Sequence, residues 1–105
     1  MKNKILFLIA FIIQINLIND QWQQTNGPFP FSGTINSLVV SGTNIFAGTD
    51  GGGVYLSNNN GTTWTPVNTG LTNNIVTSLA VSGTNIFAGT QGGVFLSSNN
   101  GTNWT

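Results

Sequence analysis

The pattern of apolar and polar positions changes character once along this chain. Ile5 to Ile13 form an unbroken apolar run behind Lys2 and Lys4, extended less cleanly by Ile15, Leu17 and Ile18. From Ile35 onward the apolar residues come in short runs, each closed by Gly, Asn, Ser or Thr. Short runs between turn residues read as β-strands, and no stretch there shows the 3.6-residue period of an amphipathic helix. The pattern predicts four strands per unit, each occurring twice. Strand A is Ile35 to Val40 and again Ile75 to Val81; strand B is Ile45 to Thr49 and again Ile86 to Thr90. Strand C is Val54 to Ser57 and again Val94 to Ser97; strand D lies around Thr63 to Thr65 and again Asn103 to Thr105. Strands B and C are almost continuously apolar rather than alternating, which predicts that both of their faces are covered.

The doubling is literal. Ser41-Gly42-Thr43-Asn44-Ile45-Phe46-Ala47-Gly48-Thr49 recurs unchanged at Ser82 to Thr90, an offset of 41 residues. Asp50-Gly51-Gly52-Gly53 then shortens to Gln91-Gly92-Gly93, so that Trp64 and Trp104 align at an offset of 40. A residue lost in a glycine turn is what a tight surface loop tolerates. A period near 40 fits propeller blades and also helical HEAT or armadillo units, but the recurring Gly, Asn and Thr argue against helices. A partial third copy precedes the two: Gln21-Trp22-Gln23-Gln24-Thr25-Asn26-Gly27 echoes Trp64-Thr65-Pro66-Val67-Asn68-Thr69-Gly70.

The expected architecture is therefore all-β: two four-stranded antiparallel propeller-type blades, a partial and open β-propeller, preceded by a signal-peptide segment. Residues 1–20 are the signal, 21–34 a preceding D strand and linker, 35–74 blade 1, and 75–105 blade 2, cut short in its last strand. Closed rings use 4 to 8 blades of about 40 residues, so 105 residues hold about two.

The turn between strands C and D carries a recognisable motif. Ser57-Asn58-Asn59-Asn60-Gly61-Thr62-Thr63-Trp64 and Ser97-Ser98-Asn99-Asn100-Gly101-Thr102-Asn103-Trp104 follow the form Ser-x-Asp-x-Gly-x-Thr-Trp. Asn59 and Asn99 stand at the Asp place, and Asn103 at the Thr place. With the flanking Asn-Ile-Phe-Ala-Gly-Thr strand, the chain from Gln21 to Thr105 resembles the Asp-box (BNR, sialidase-like) β-propeller repeat proteins of exported bacterial type. Similar repeats occur in sialidases, xyloglucanase-type glycosidases, sortilin-like receptors and photosystem assembly factors. The resemblance implies a propeller fold, and turns that lie away from any catalytic centre. The structural turn residues it marks are Ser57, Asn59, Gly61 and Trp64, then Ser97, Asn99, Gly101 and Trp104. Physical chemistry agrees with that role: an Asn or Asp side chain bonds nearby backbone N–H groups, glycine takes the left-handed position, and tryptophan covers the hairpin.

Composition removes most chemistries. The chain holds two Lys and two Asp, with no Arg, Glu, His or Cys, and both lysines lie in the first four residues. Nucleic-acid binding needs Lys or Arg on phosphates, so no nucleic-acid partner is expected, and no specific binding to a membrane after signal cleavage. Ser-His-Asp and Cys-His nucleophiles have no His or Cys to use. Glycosidases need paired carboxylates, and only Asp50 and Asp20 exist, one in a single repeat and one at the expected cut. Tyr55 aligns with Phe95, which marks a packing position rather than a nucleophile. Asn58 to Gly61 resemble a calcium loop without its carboxylates, and Gly51-Gly52-Gly53 lack the lysine and helix of a phosphate cradle. No cofactor or metal is expected. Trp22, Trp64 and Trp104 recur once per unit and could stack on sugar rings; cover for a hairpin is the favoured reading.

The Lys2, Lys4 and Ile5 to Ile13 pattern is that of an export signal, too short for a membrane span, with the cut expected near Asp20–Gln21. The expected product is extracellular, on the cell surface or periplasmic. Its expected role is that of a non-catalytic structural or binding module for a protein or glycan, not an enzyme. The alternative is the N-terminal fragment of a sialidase-like or xyloglucanase-like glycosidase whose catalytic residues lie in downstream blades. Open blade edges also predict self-association.

Overall fold

The computed structural model of the chain describes residues 33–105. The expected signal at 1–20 and the expected D strand within 21–34 lie outside the described residues.

Seven strands are present among the described residues: β1 Ile35–Ser41, β2 Asn44–Thr49, β3 Val54–Ser57, β4 Thr65–Pro66, β5 Val76–Ser82, β6 Asn85–Thr90 and β7 Gly93–Ser97. They form two antiparallel sheets with neighbours in chain order, β1-β2-β3-β4 and β5-β6-β7. The two A–B hairpins are superimposable in register, closing on Ser41 opposite Asn44 and on Ser82 opposite Asn85, with a two-residue loop between. Both also slip register at the same place, between Ile35 and Ser37 and between Val76 and Ser78. The described residues are all-β, in antiparallel sheets, as the pattern predicted.

Strand D departs from expectation. It is only two residues long and begins one residue after Trp64, pairing Thr65 with Leu56 and Pro66 with Tyr55. The preceding turn occupies the backbone first: the Gly61, Thr62 and Thr63 N–H groups all donate back into it, so the ladder starts at Thr65. In the second sheet Thr105 exchanges both backbone bonds with Leu96, at 2.9 and 2.8 Å, in the register of Thr65 with Leu56.

The sheets pack face to face, β5 against β1 and β2. Phe46 and Val54 from the first sheet meet Val76, Leu79, Ile86 and Ala88 from the second, with Leu71 and Trp104 completing the buried cluster. Gly48 makes the close approach: a Cβ there would lie 2.7 Å from Val76 Cγ1. Two polar bonds fix the inner strands together, Asn36 Nδ2 to the Val76 carbonyl at 2.9 Å and the Leu79 N–H to Ser37 Oγ at 3.1 Å.

Equivalent residues differ sharply in burial. Val54 is 0 % exposed and its counterpart Val94 72 %; Leu79 is 9 % exposed and its counterpart Leu38 61 %. Strands β2 and β3 are thus covered on both faces, as their unbroken apolar runs predicted, whereas β6 and β7 are covered on one. Full burial of a Val or Leu side chain contributes roughly 1.5–3 kcal/mol, so the interface between the sheets outweighs any single hydrogen bond in it.

Candidate functional site: the paired serine-asparagine-glycine-tryptophan turns

Each turn begins with a serine that ends the third strand of its sheet and is buried. Ser57 Oγ donates to Asn59 Oδ1 at 3.0 Å and accepts from the Gly61 N–H at 2.8 Å. Asn59 Oδ1 accepts again from the Thr63 N–H at 2.9 Å, and its Nδ2 donates to Thr63 Oγ1 at 2.8 Å. The second turn repeats this. Ser97 Oγ donates to Asn99 Oδ1 at 3.0 Å and accepts from the Gly101 N–H at 2.8 Å. Asn99 Oδ1 accepts from the Asn103 N–H at 3.1 Å while Asn99 Nδ2 donates to Asn103 Oδ1 at 3.0 Å.

The backbone conformation explains the Asn-Gly pair. Asn60 and Gly61 have φ of 57° and 83°, and Asn100 and Gly101 have 57° and 81°. Two successive left-handed residues close a tight turn, here with the Thr62 N–H donating to the Asn59 carbonyl at 3.2 Å and Thr102 to Asn99 at 3.1 Å. Asn and Gly are the residues that tolerate that geometry.

The tryptophans, which follow at the same place, diverge. Trp104 is 3 % exposed, and its Nε1 donates to the Val67 carbonyl at 2.7 Å. Its backbone N–H donates to the Thr69 carbonyl at 2.9 Å. Trp64 is half-buried; its Nε1 is buried and has no hydrogen-bond partner among the described residues. A face for stacking on a sugar is thus absent at Trp104, which is enclosed by protein.

Over residues 12–105 the sequence matches the family described as "DUF6242 beta propeller domain". The chain belongs to that family. The DUF6242 domain is also similar to a solved structure, YCF48 from Cyanidioschyzon merolae, with a TM-score of 0.60 and 19 % identity. The likeness covers 74 % of this chain and 24 % of that one, so this chain spans about a quarter of that structure's length. At that identity the likeness shows the fold alone. No curated protein matches the chain.

In this DUF6242 domain Ser57, Asn59, Ser97 and Asn99 use polar atoms within their own turns, which fixes the backbone there. Asp50 is exposed at the end of β2, with its N–H on the Thr34 carbonyl at 2.9 Å, and Tyr55 is buried within β3. No group of three or more His, Cys, Asp or Glu that could hold a metal ion occurs among the described residues.

One residue with a clear structural task escaped the motif. Asn68 Oδ1 accepts from the Val54 N–H at 2.7 Å, and its Nδ2 donates to the Gly52 carbonyl at 3.1 Å. It closes the glycine turn between β2 and β3 from the linker that leaves the sheet. The available signal was its recurrence as Asn26 in the echo of Trp64 to Gly70. Thr49 and Thr90 brace the same turns, each donating its hydroxyl at 2.8 Å, to the Gly53 and Gly93 carbonyls.

Proposed function

We propose that this DUF6242 domain is a non-catalytic, exported β-propeller segment that serves as a structural or binding module for a protein or glycan. The observation that carries the reading is the inward use of the turn side chains: Ser57, Asn59, Ser97 and Asn99 all bond within their own turns. The composition supports it, because general acid-base and nucleophilic chemistry would have to run without Arg, Glu, His or Cys. On this reading the two turns are of the Asp-box type with the charge removed, and their task is to hold each sheet's outer hairpin.

The test is binding and turnover measured together. The chain is presented to a glycan array and, separately, to sialoside and xyloglucan substrates under the same conditions. Retention of a ligand without hydrolysis is the expected outcome, and hydrolysis by this chain would overturn the reading. Export rests on Lys2, Lys4 and the Ile5 to Ile13 run. Fusion of residues 1–20 to a reporter that is active only after export checks it; a reporter retained in the cytoplasm would sink it.

A further inference from the structure

Trp64 and Trp104 occupy the same place in the two turns, and only one of them is complete. The Trp104 indole is satisfied by the linker that leaves the first sheet, through the Val67 carbonyl, and its backbone by the Thr69 carbonyl. Val67 also packs there: a Cβ at Gly101 would lie 3.1 Å from Val67 Cγ2. The Trp64 indole N–H is just as inaccessible to water and has no acceptor among the described residues. A buried N–H without a partner is rare because it forfeits its bond to water and gains nothing. Among the described residues the first sheet therefore lacks the strip of backbone that the second sheet receives.

The chain contains a strip of the right kind. Aligning Trp22 with Trp64 places Thr25 at Val67 and Asn26 at Asn68, and threonine has nearly the shape of valine. The tether also reaches. Eight positions separate Gly27 from Ile35, against seven between Thr69 and Val76, which span the equivalent gap in the second copy. We propose that residues 25–27 dock on the first sheet as residues 67–69 dock on the second, with the Thr25 carbonyl accepting from Trp64 Nε1. That segment then does for the first sheet what Val67 and Thr69 do for the second.

The chain has no cysteine, so Gln23→Cys gives one attachment point for a spin label on the full-length protein. Nuclear magnetic resonance then follows the three indole N–H signals, assigned by Trp→Phe variants. The expected result is that the label broadens the Trp64 signal far more strongly than that of Trp104. Equal broadening, or broadening of neither, would overturn the proposal. So would broadening that appears only when spin-labelled, isotope-free chains are mixed with label-free, isotope-enriched ones, since a second copy would then be the occupant. Trp64→Phe supplies an independent readout by removing the donor alone. Amide exchange within 24–27 should rise at least about tenfold while the Trp104 indole keeps its protection. Unchanged exchange in that segment would equally overturn it.

Discussion

Leu38 and Leu79 hold the same place in the two copies, yet Leu79 is sealed between the sheets and Leu38 is open to solvent. Leu79 lies against Gly48, with its Cγ 3.4 Å from where a glycine Cβ would stand. Leu79→Ala should therefore cost about 2–5 kcal/mol, the range for a buried leucine that leaves a cavity. Leu38→Ala should stay within about 0.5 kcal/mol. Denaturant unfolding of the two variants side by side checks the pair.

The same comparison locates a surface for self-association. Ile35 and Leu38 are exposed on β1, and Val94 is exposed on β7, while their counterparts Val76 and Leu79, and Val54, are buried in the cluster between the sheets. Each open surface is thus a copy of one side of a sealed interface, which suits head-to-tail contact between chains. Light scattering should show association that grows with concentration. Leu38→Glu should move the protein towards monomer, because the contact would then bury an unpaired charge.

Ser97 is the most constrained polar side chain of its turn. Removing its hydroxyl leaves the buried Gly101 N–H without an acceptor and takes one donor from Asn99 Oδ1. Ser97→Ala should cost about 1–3 kcal/mol, and Ser57→Ala a similar amount. Thermal unfolding monitored by β-sheet circular dichroism gives both numbers.

Restoring a carboxylate at the centre of the turn should be easier at one copy than at the other. At position 59 the partner is a hydroxyl, and Thr63 Oγ1 can rotate to donate instead of accept. At position 99 the partner is the Asn103 carbonyl oxygen, so that amide must turn over. Asn59→Asp should stabilise by up to about 1 kcal/mol at pH 7, with less gain for Asn99→Asp. The hydrogen bonds hold the introduced acid below its usual value of about 3.9. The gain is therefore present above that pH and lost as pH falls through the lower, folded value. Melting curves between about pH 2 and 7 test the sign.

Gly70 sits where the linker passes Trp104. Its φ is 85°, and a Cβ there would collide with the Trp104 carbonyl oxygen. Gly70→Ala combines left-handed strain with that collision and should cost about 2 kcal/mol or more. Tryptophan fluorescence on unfolding reports the loss.

The strand positions could be read from the chain because the repeat supplied each of them twice. The nine residues Ser41 to Thr49 and Ser82 to Thr90 are identical and form the same hairpin. Their burial could not be read in that way. Phe46 is fully buried and Phe87 only partly, because exposure depends on what lies across the interface and not on the residue itself. The turn motif was visible as a pattern of Ser, Asn and Gly, but it hid the short strand D, whose start is set by donors the turn has already used. Asn68 was invisible to local rules since its partners, Gly52 and Val54, lie 16 and 14 residues earlier.

The linker from Val67 to Leu71 belongs to two sheets at once. Asn68 completes the first sheet's glycine turn, while Val67 and Thr69 hold Trp104 of the second and Leu71 enters the shared cluster. A repeat array unzips unit by unit when its junctions are weaker than its units. Here one continuous piece of backbone is spliced into both neighbours, so neither sheet can melt and leave the other whole. Heat or force should meet a single transition in which both sheets and the junction are lost together.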